Sequence, residues 1–176
     1  MHRRHDRLIT LVLGGTRSGK SEVAERLAGA LGPRVTYVAT GRITDDDMAA
    51  RIERHRARRP AGWATVEAGP DLPAVLAGVD GPALVDSLGT WVAGYPDLTP
   101  DAPALCRALA GRSAGTVVVS EEVGLGVHAP TEVGRRFADE LGTLNQAVAD
   151  VADRVLLVMA GRVLPLHRVP EAEPEG

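Results

Sequence analysis

The chain has 176 residues, 20 Lys/Arg against 23 Asp/Glu and a formal net charge of −3. That charge argues against generic nucleic-acid binding, and the length suits one domain with a proper core. Aromatic residues make up only 3%, so Ala, Val, Leu and Gly are expected to build that core; the single cysteine, Cys106, excludes an intramolecular disulfide and fits a reducing cytoplasm.

In chain order, the charged start "MHRRHDR" runs into the apolar "LITLVL" (Leu8 to Leu13) with no signal-peptide core between them. Then comes "LGGTRSGKS". Gly14, four residues, Gly19, Lys20 and Ser21 make the G-x-x-x-x-G-K-[ST] phosphate-binding loop. Lys20 is the chain's only lysine; every other Lys/Arg position is arginine. A lysine is a compact charge on a thin stem and reaches into a ring of backbone amides that arginine's planar fork fits poorly. Gly14, Gly15, Thr16, Arg17, Ser18, Gly19, Lys20 and Ser21 are therefore expected to bind a triphosphate, with Ser21 on Mg²⁺. Behind the loop, "SEVAERLAGAL" carries apolar residues at helical spacing. Strand, loop and helix are the context the motif needs.

Further strands are expected at Val35 to Ala39, Trp63 to Glu67, Pro82 to Asp86, Thr116 to Ser120 and Arg154 to Ala160, with an edge strand at Gly161 to Leu166, where Pro165 is tolerated. Helical spacing covers segments near 45–59, 71–79, 101–112 and 131–152. The strands are continuous apolar runs, as in a mostly parallel sheet covered on both faces. Residues 92–103 read as a surface loop, residues 1–166 as one domain, and the acidic, proline-rich residues 167–176 as a disordered tail.

Asp86 ends an apolar run and is the expected Mg²⁺ carboxylate; Glu121 and Glu122 are the runners-up. In "ITDDDMAARIERHRARRP" (Ile43 to Pro60), acids open a helical pattern and Arg51, Arg54, Arg56, Arg58 and Arg59 crowd its end. A solvated surface helix with an incidental histidine fits this pattern. So does a second phosphate-contacting surface around His55, whose cationic neighbours favour the neutral, nucleophilic imidazole.

Taken together, "GGTRSGKS", "YVATG", "DDDMAARIERHRARRPAGW", "TVE", "LVDSLGTW", "SEEVGLGVHAP" and "GRRFADELGTLNQAVADVADRVLLVMAG" resemble the bifunctional adenosylcobinamide kinase / adenosylcobinamide-phosphate guanylyltransferase family of cobalamin biosynthesis. The likeness runs from Leu11 to about Val163. It departs where the family often has Asn at Glu121, Cys at Ser87 and Asn at Gly94. The resemblance implies a P-loop NTPase-type (RecA-like) three-layer α/β fold and a cytoplasmic homotrimer, for which the connection near 92–103 would suit an interface. It implies phosphorylation of adenosylcobinamide by ATP or GTP, then transfer of GMP from GTP through a covalent GMP–histidine at His55. It places guanine-nucleotide contacts at Ala39, Thr40, Gly41, Arg56, Ala57, Arg58, Arg59, Glu67 and Asp86, with Mg²⁺ at Ser21 and Asp86. Two other readings stay open: a plain P-loop small-molecule kinase in which His55 is structural, and a nucleotide-switch module, against which stands the lack of an N-K-x-D sequence.

Overall fold

A computed structural model describes residues 7–41 and 59–170. The apolar runs form a seven-stranded sheet: β1 (Ile9–Gly14), β2 (Thr36–Ala39), β3 (Ala64–Glu67), β4 (Ala83–Asp86), β5 (Thr116–Glu121), β6 (Arg154–Met159) and β7 (Arg162–Leu166), in the order β3-β2-β4-β5-β1-β6-β7. All neighbours are parallel except β6 and β7. β7 carries Pro165 at the exposed sheet edge, where a missing N–H breaks no ladder.

Helices cover both faces. α1 (Lys20–Gly29) packs Val23, Ala24 and Ala28 against Val12, Leu84, Val117 and Val119. The other face is covered by α2 (Leu72–Ala77), α3 (Leu88–Ala93), α4 (Ala102–Gly111) and α5 (Glu132–Val151). Alternate residues of one strand feed opposite layers: Leu11 and Leu13 join the second core, Val12 the first. Burial on both faces explains why the strands read as unbroken apolar runs.

Two expectations are corrected. The core is not wholly aliphatic: Trp91 is its largest fully buried side chain, at 1% exposure. Residues 92–103 are not simply a surface loop. Val92 and Ala93 finish α3, Tyr95 meets Trp91 edge-on at 5.8 Å, and its hydroxyl donates to the Pro70 carbonyl at 2.9 Å. α3 itself had no counterpart in the sequence reading. Its start is fixed by a capping box between Ser87 and Thr90.

Opposite the strand ends that hold the phosphate loop, Arg112 ties α2, β4 and β5 together. Its buried guanidinium donates to Thr116 Oγ1 (2.7 Å), to the carbonyls of Leu76 and Val79 (2.8 Å each) and to that of Gly81.

Candidate active site

The loop after β1 has the geometry its motif predicts. At Gly14 a side chain would collide with Ser18 Oγ and crowd the Val158 carbonyl. Gly19 lies at φ +91°, just before α1, a conformation glycine adopts at no steric cost. Gly15 faces open space. Thr16 and Arg17 are exposed, while Ser18 is buried and its Oγ accepts from Lys20 N. Lys20 is only 5% exposed, with Nζ donating to the Gly15 carbonyl at 3.3 Å. The β6–β7 turn closes over the loop through Gly161 N to Ser18 O at 2.8 Å. Ser21 is the second residue of α1, at the end whose backbone N–H groups favour anions.

The other predicted residues collect at the same strand ends. Glu67, Ala39 and Asp86 form one row across β3, β2 and β4, and Gly14 pairs with Glu121 across β1 and β5. Asp86 extends from the face that α1 covers, since Leu84, two residues earlier, packs there. Its Oδ2 accepts from the Tyr37 hydroxyl at 3.2 Å. Burial first, and the Asp86 carboxylate next, push the Tyr37 phenol far above its ordinary value, with Arg59 opposing. Tyr37 therefore stays protonated and acts as the donor. Ser21 and Asp86 carry hydroxyl and carboxylate oxygens, the hard donor type that Mg²⁺ takes. Among the described residues no cluster of three or more His, Cys, Asp or Glu forms a self-sufficient metal site.

Glu121 and Glu122 separate clearly. Glu121 accepts from Ser87 Oγ at 2.8 and 3.1 Å and from Gly89 N at 2.9 Å. A Cβ at Gly89 would collide with that carboxylate. Glu122 accepts from Gly124 N and lines a groove of about 590 Å³ on the opposite face, between α5 and β7. Asn145 on α5 steadies the end of β5, accepting from Ser120 Oγ and donating to the Glu121 carbonyl.

Thr40 completes the network. Its Oγ1 accepts from Ser87 N at 2.9 Å and lies 2.6 Å from both the Ser87 carbonyl and Thr90 Oγ1. Ser87, which bonds Glu121, thus links Thr40 to that carboxylate. The sequence reading missed Tyr37, Gly89 and Thr90. The only available signal for Tyr37 was a lone tyrosine in an apolar strand.

Arg59 Cζ sits 3.6 Å from the Tyr37 ring centroid, and Nη1 donates to Thr65 Oγ1 at 3.2 Å. Gly41 follows Thr40, with Thr90 beside it. His55, Arg56, Ala57, Arg58 and all but the last residue of the helix expected near 45–59 lie outside the described residues.

A phosphate loop between a central parallel strand and its helix, with an acid at a nearby strand end, defines a P-loop nucleotide-binding α/β protein. Solved structures agree on the fold. The flagellar accessory protein FlaH from Methanocaldococcus jannaschii aligns with 90% of this chain and 75% of its own (TM-score 0.50, 14% identity). A type III secretion ATPase of pathogenic bacteria aligns with 86% of this chain and 51% of its own (TM-score 0.54, 11% identity).

Sequence comparison then narrows the class. The profile of the cobinamide kinase / cobinamide phosphate guanyltransferase family, CobU, matches residues 10–166, and the chain belongs to that family of bifunctional transferases. It is 41% identical to the bifunctional adenosylcobalamin biosynthesis protein CobP of Pseudomonas aeruginosa, over 91% of this chain and 98% of that one. It is 35% identical to CobU of Salmonella typhimurium, over 88% and 97%.

Proposed function

We propose that this chain phosphorylates adenosylcobinamide with ATP or GTP, then transfers GMP from GTP to the new phosphate, giving adenosylcobinamide-GDP and pyrophosphate. The observation that carries the reading is the intact phosphate loop, with Lys20 buried inside it, in a chain that matches the family over residues 10–166.

In the first reaction the substrate hydroxyl oxygen bonds to the γ-phosphorus, the bond to the β-phosphate oxygen breaks, and the hydroxyl proton is released. Lys20 and the loop amides stabilise charge on the transferring group. Ser21 and Asp86 would hold Mg²⁺, whose chemistry there would be to offset the negative charge of the triphosphate.

In the second reaction neutral His55 attacks the α-phosphorus of GTP. A P–N bond forms, pyrophosphate leaves with the electron pair, and the imidazole loses its proton. A phosphate oxygen of the acceptor then displaces the imidazole. A covalent intermediate divides one hard displacement into two easier ones. Arg56, Ala57, Arg58 and Arg59 would hold the nucleotide phosphates, and Thr40, Gly41 and Glu67 the nucleoside. The position of Arg59 supports this, because four residues of chain span at most about 14 Å.

A homotrimer accords with the exposed Leu125, Val127 and Val133, and with Met159, Val163, Leu164 and Leu166 on β6 and β7 at the sheet edge. Among the described residues no helix is long and apolar enough to cross a membrane, which accords with a cytoplasmic enzyme.

Product analysis tests the proposal. Protein incubated with adenosylcobinamide, GTP and Mg²⁺ should yield first the phosphate and then the GDP derivative with pyrophosphate. Accumulation of the phosphate alone would reduce the protein to a plain kinase.

A further inference from the structure

Two connections part at the carboxyl ends of neighbouring strands. β1 and β5 pair in parallel, with Gly14 opposite Glu121. From β1 the chain passes to α1, which packs on one face of the sheet. From β5 it passes to α5, which packs on the other face and crosses β1 to reach β6. Open α/β sheets bind ligands in the crevice that such a divergence leaves. The phosphate loop lies on the α1 side of it.

The α5 side holds the groove of about 590 Å³. Its end nearest the loop is formed by Leu13, the residue before Gly14, and by Glu122, whose N–H donates to the Gly14 carbonyl at 3.1 Å. From there it runs beside α5, past Gly142, Asn145 and Gln146, to Val155 early in β6. Leu13 and Val155 give it apolar walls, while the exposed Gln146 and the Asp150–Arg168 pair supply polar groups. No residue assigned to the nucleotide lines it.

We propose that this groove is the acceptor subsite, holding one edge of the corrinoid so that its hydroxyl arm reaches past the end of β1 to the γ-phosphate. The inference rests on the reading of the chain as an adenosylcobinamide kinase. A transfer enzyme must seat donor and acceptor side by side without overlap. Here the two sites lie on opposite faces and meet at Leu13 and Gly14. A corrinoid joins an apolar ring to carboxamide arms. Apolar walls suit the ring, and an amide side chain such as that of Gln146 both donates to such arms and accepts from them. Pockets of about 300–1,000 Å³ enclose drug-sized ligands. A corrinoid exceeds that class, so one edge enters and the rest stays outside the groove.

The test fills the groove from α5 in the full chain. A side chain added at Gly142 meets nothing within 4 Å, so Gly142→Leu narrows the groove without displacing the core. Leucine is also a better helix former than glycine, and the variant should melt no lower than wild type. Gln146→Trp, at an exposed position one turn further along α5, narrows the groove a second way. Gly142→Ala is the control that leaves room. Four quantities are measured: KM for adenosylcobinamide in phosphorylation by γ-labelled GTP, KM for GTP, protein guanylylation by α-labelled GTP, which needs no acceptor, and mass by sedimentation. Gly142→Leu and Gln146→Trp should each raise KM for adenosylcobinamide at least about tenfold, the scale of a methylene-sized misfit in a pocket. KM for GTP, guanylylation and mass should stay as in wild type, and Gly142→Ala should match wild type throughout. An unchanged KM for adenosylcobinamide in either folded variant overturns the proposal. So does an equal loss of guanylylation, which would place the effect in the phosphate loop. A change of mass on filling the groove would assign it to a second copy of the chain and overturn the proposal as well. Wild-type protein that takes label from α-labelled GTP yet phosphorylates no adenosylcobinamide overturns the underlying reading instead.

Discussion

Replacing Lys20 by methionine should move stability and activity in opposite directions. The ammonium lies inside the phosphate loop and donates to the Gly15 carbonyl at 3.3 Å. That is long for a charged donor, which prefers about 2.7–2.9 Å to an anion. Among the described residues no carboxylate forms an ion pair with it. A charge withdrawn from water without an anionic partner costs free energy, several kcal/mol when burial is complete. Methionine has nearly the same length and no charge. The nucleotide-free variant should therefore gain about 1 kcal/mol, and melt about 2–4 °C higher at this chain length.

Activity should fall steeply. Loss of one well-placed donor to the reacting phosphate lowers the rate about 10²–10³-fold, or about 2.7–4 kcal/mol of transition-state stabilisation. Both half-reactions use a triphosphate, so both should fall. GTP at a hundred times its Kd stabilises a folded protein by about 2.7 kcal/mol. The wild type should then melt about 5–10 °C higher with GTP, and a tenfold weaker Kd would halve that increment. The assay is a pair of melting curves, with and without GTP, beside both rate measurements. A variant that melts well below wild type, or keeps near-normal rates, would refute the argument.

Two further outcomes concern parts remote from the chemistry. Arg112→Met strips the charged donor from three carbonyls and the Thr116 hydroxyl; it should destabilise the fold by about 3–5 kcal/mol and lower Tm by roughly 10 °C, while the protein still folded at 25 °C keeps its rates. A loss of less than about 1 kcal/mol in denaturant titration would show that water replaces the guanidinium. Burial is the main influence raising the Cys106 thiol above its ordinary value, with Asp150 adding and Arg107 opposing. The thiolate is the reactive form, so alkylation of the folded chain should set in at higher pH than alkylation of the unfolded chain. Coincident pH profiles would contradict this.

Much of the architecture was legible because its signals are local. Continuous β-branched runs gave every strand to within a residue or two, and Pro165 marked the edge. The phosphate loop was legible because its chemistry is confined to eight adjacent residues. α3 was not legible. It has only six residues, includes Gly89 and Thr90, both weak helix formers, and closes its capping box with Thr90 in place of the usual Glu or Gln. Its stability comes from burying Leu88, Trp91 and Val92, which is a tertiary effect.

The network around Asp86 was also out of reach. Thr40, Ser87 and Glu121 stand tens of residues apart and meet only because β2, β4 and β5 are neighbours. Hydrophobic periodicity reports which runs are strands and is silent on their order. Sequence alone therefore left Glu121 and Glu122 equivalent. Strand pairing turns the first toward Ser87 and Gly89 and the second toward its own loop.

The proposed guanylyl transfer turns on a covalent GMP carried by His55 from GTP to the acceptor phosphate. Purified protein should be incubated with Mg²⁺ and either α-labelled or γ-labelled GTP, denatured, and separated from free nucleotide. The protein should take label from α-labelled GTP alone, acid-labile and base-stable as a phosphoramidate is. His55→Ala should abolish that label, while His128→Ala and His167→Ala keep it. Full labelling of His55→Ala, or GMP mapped to another residue, would contradict it.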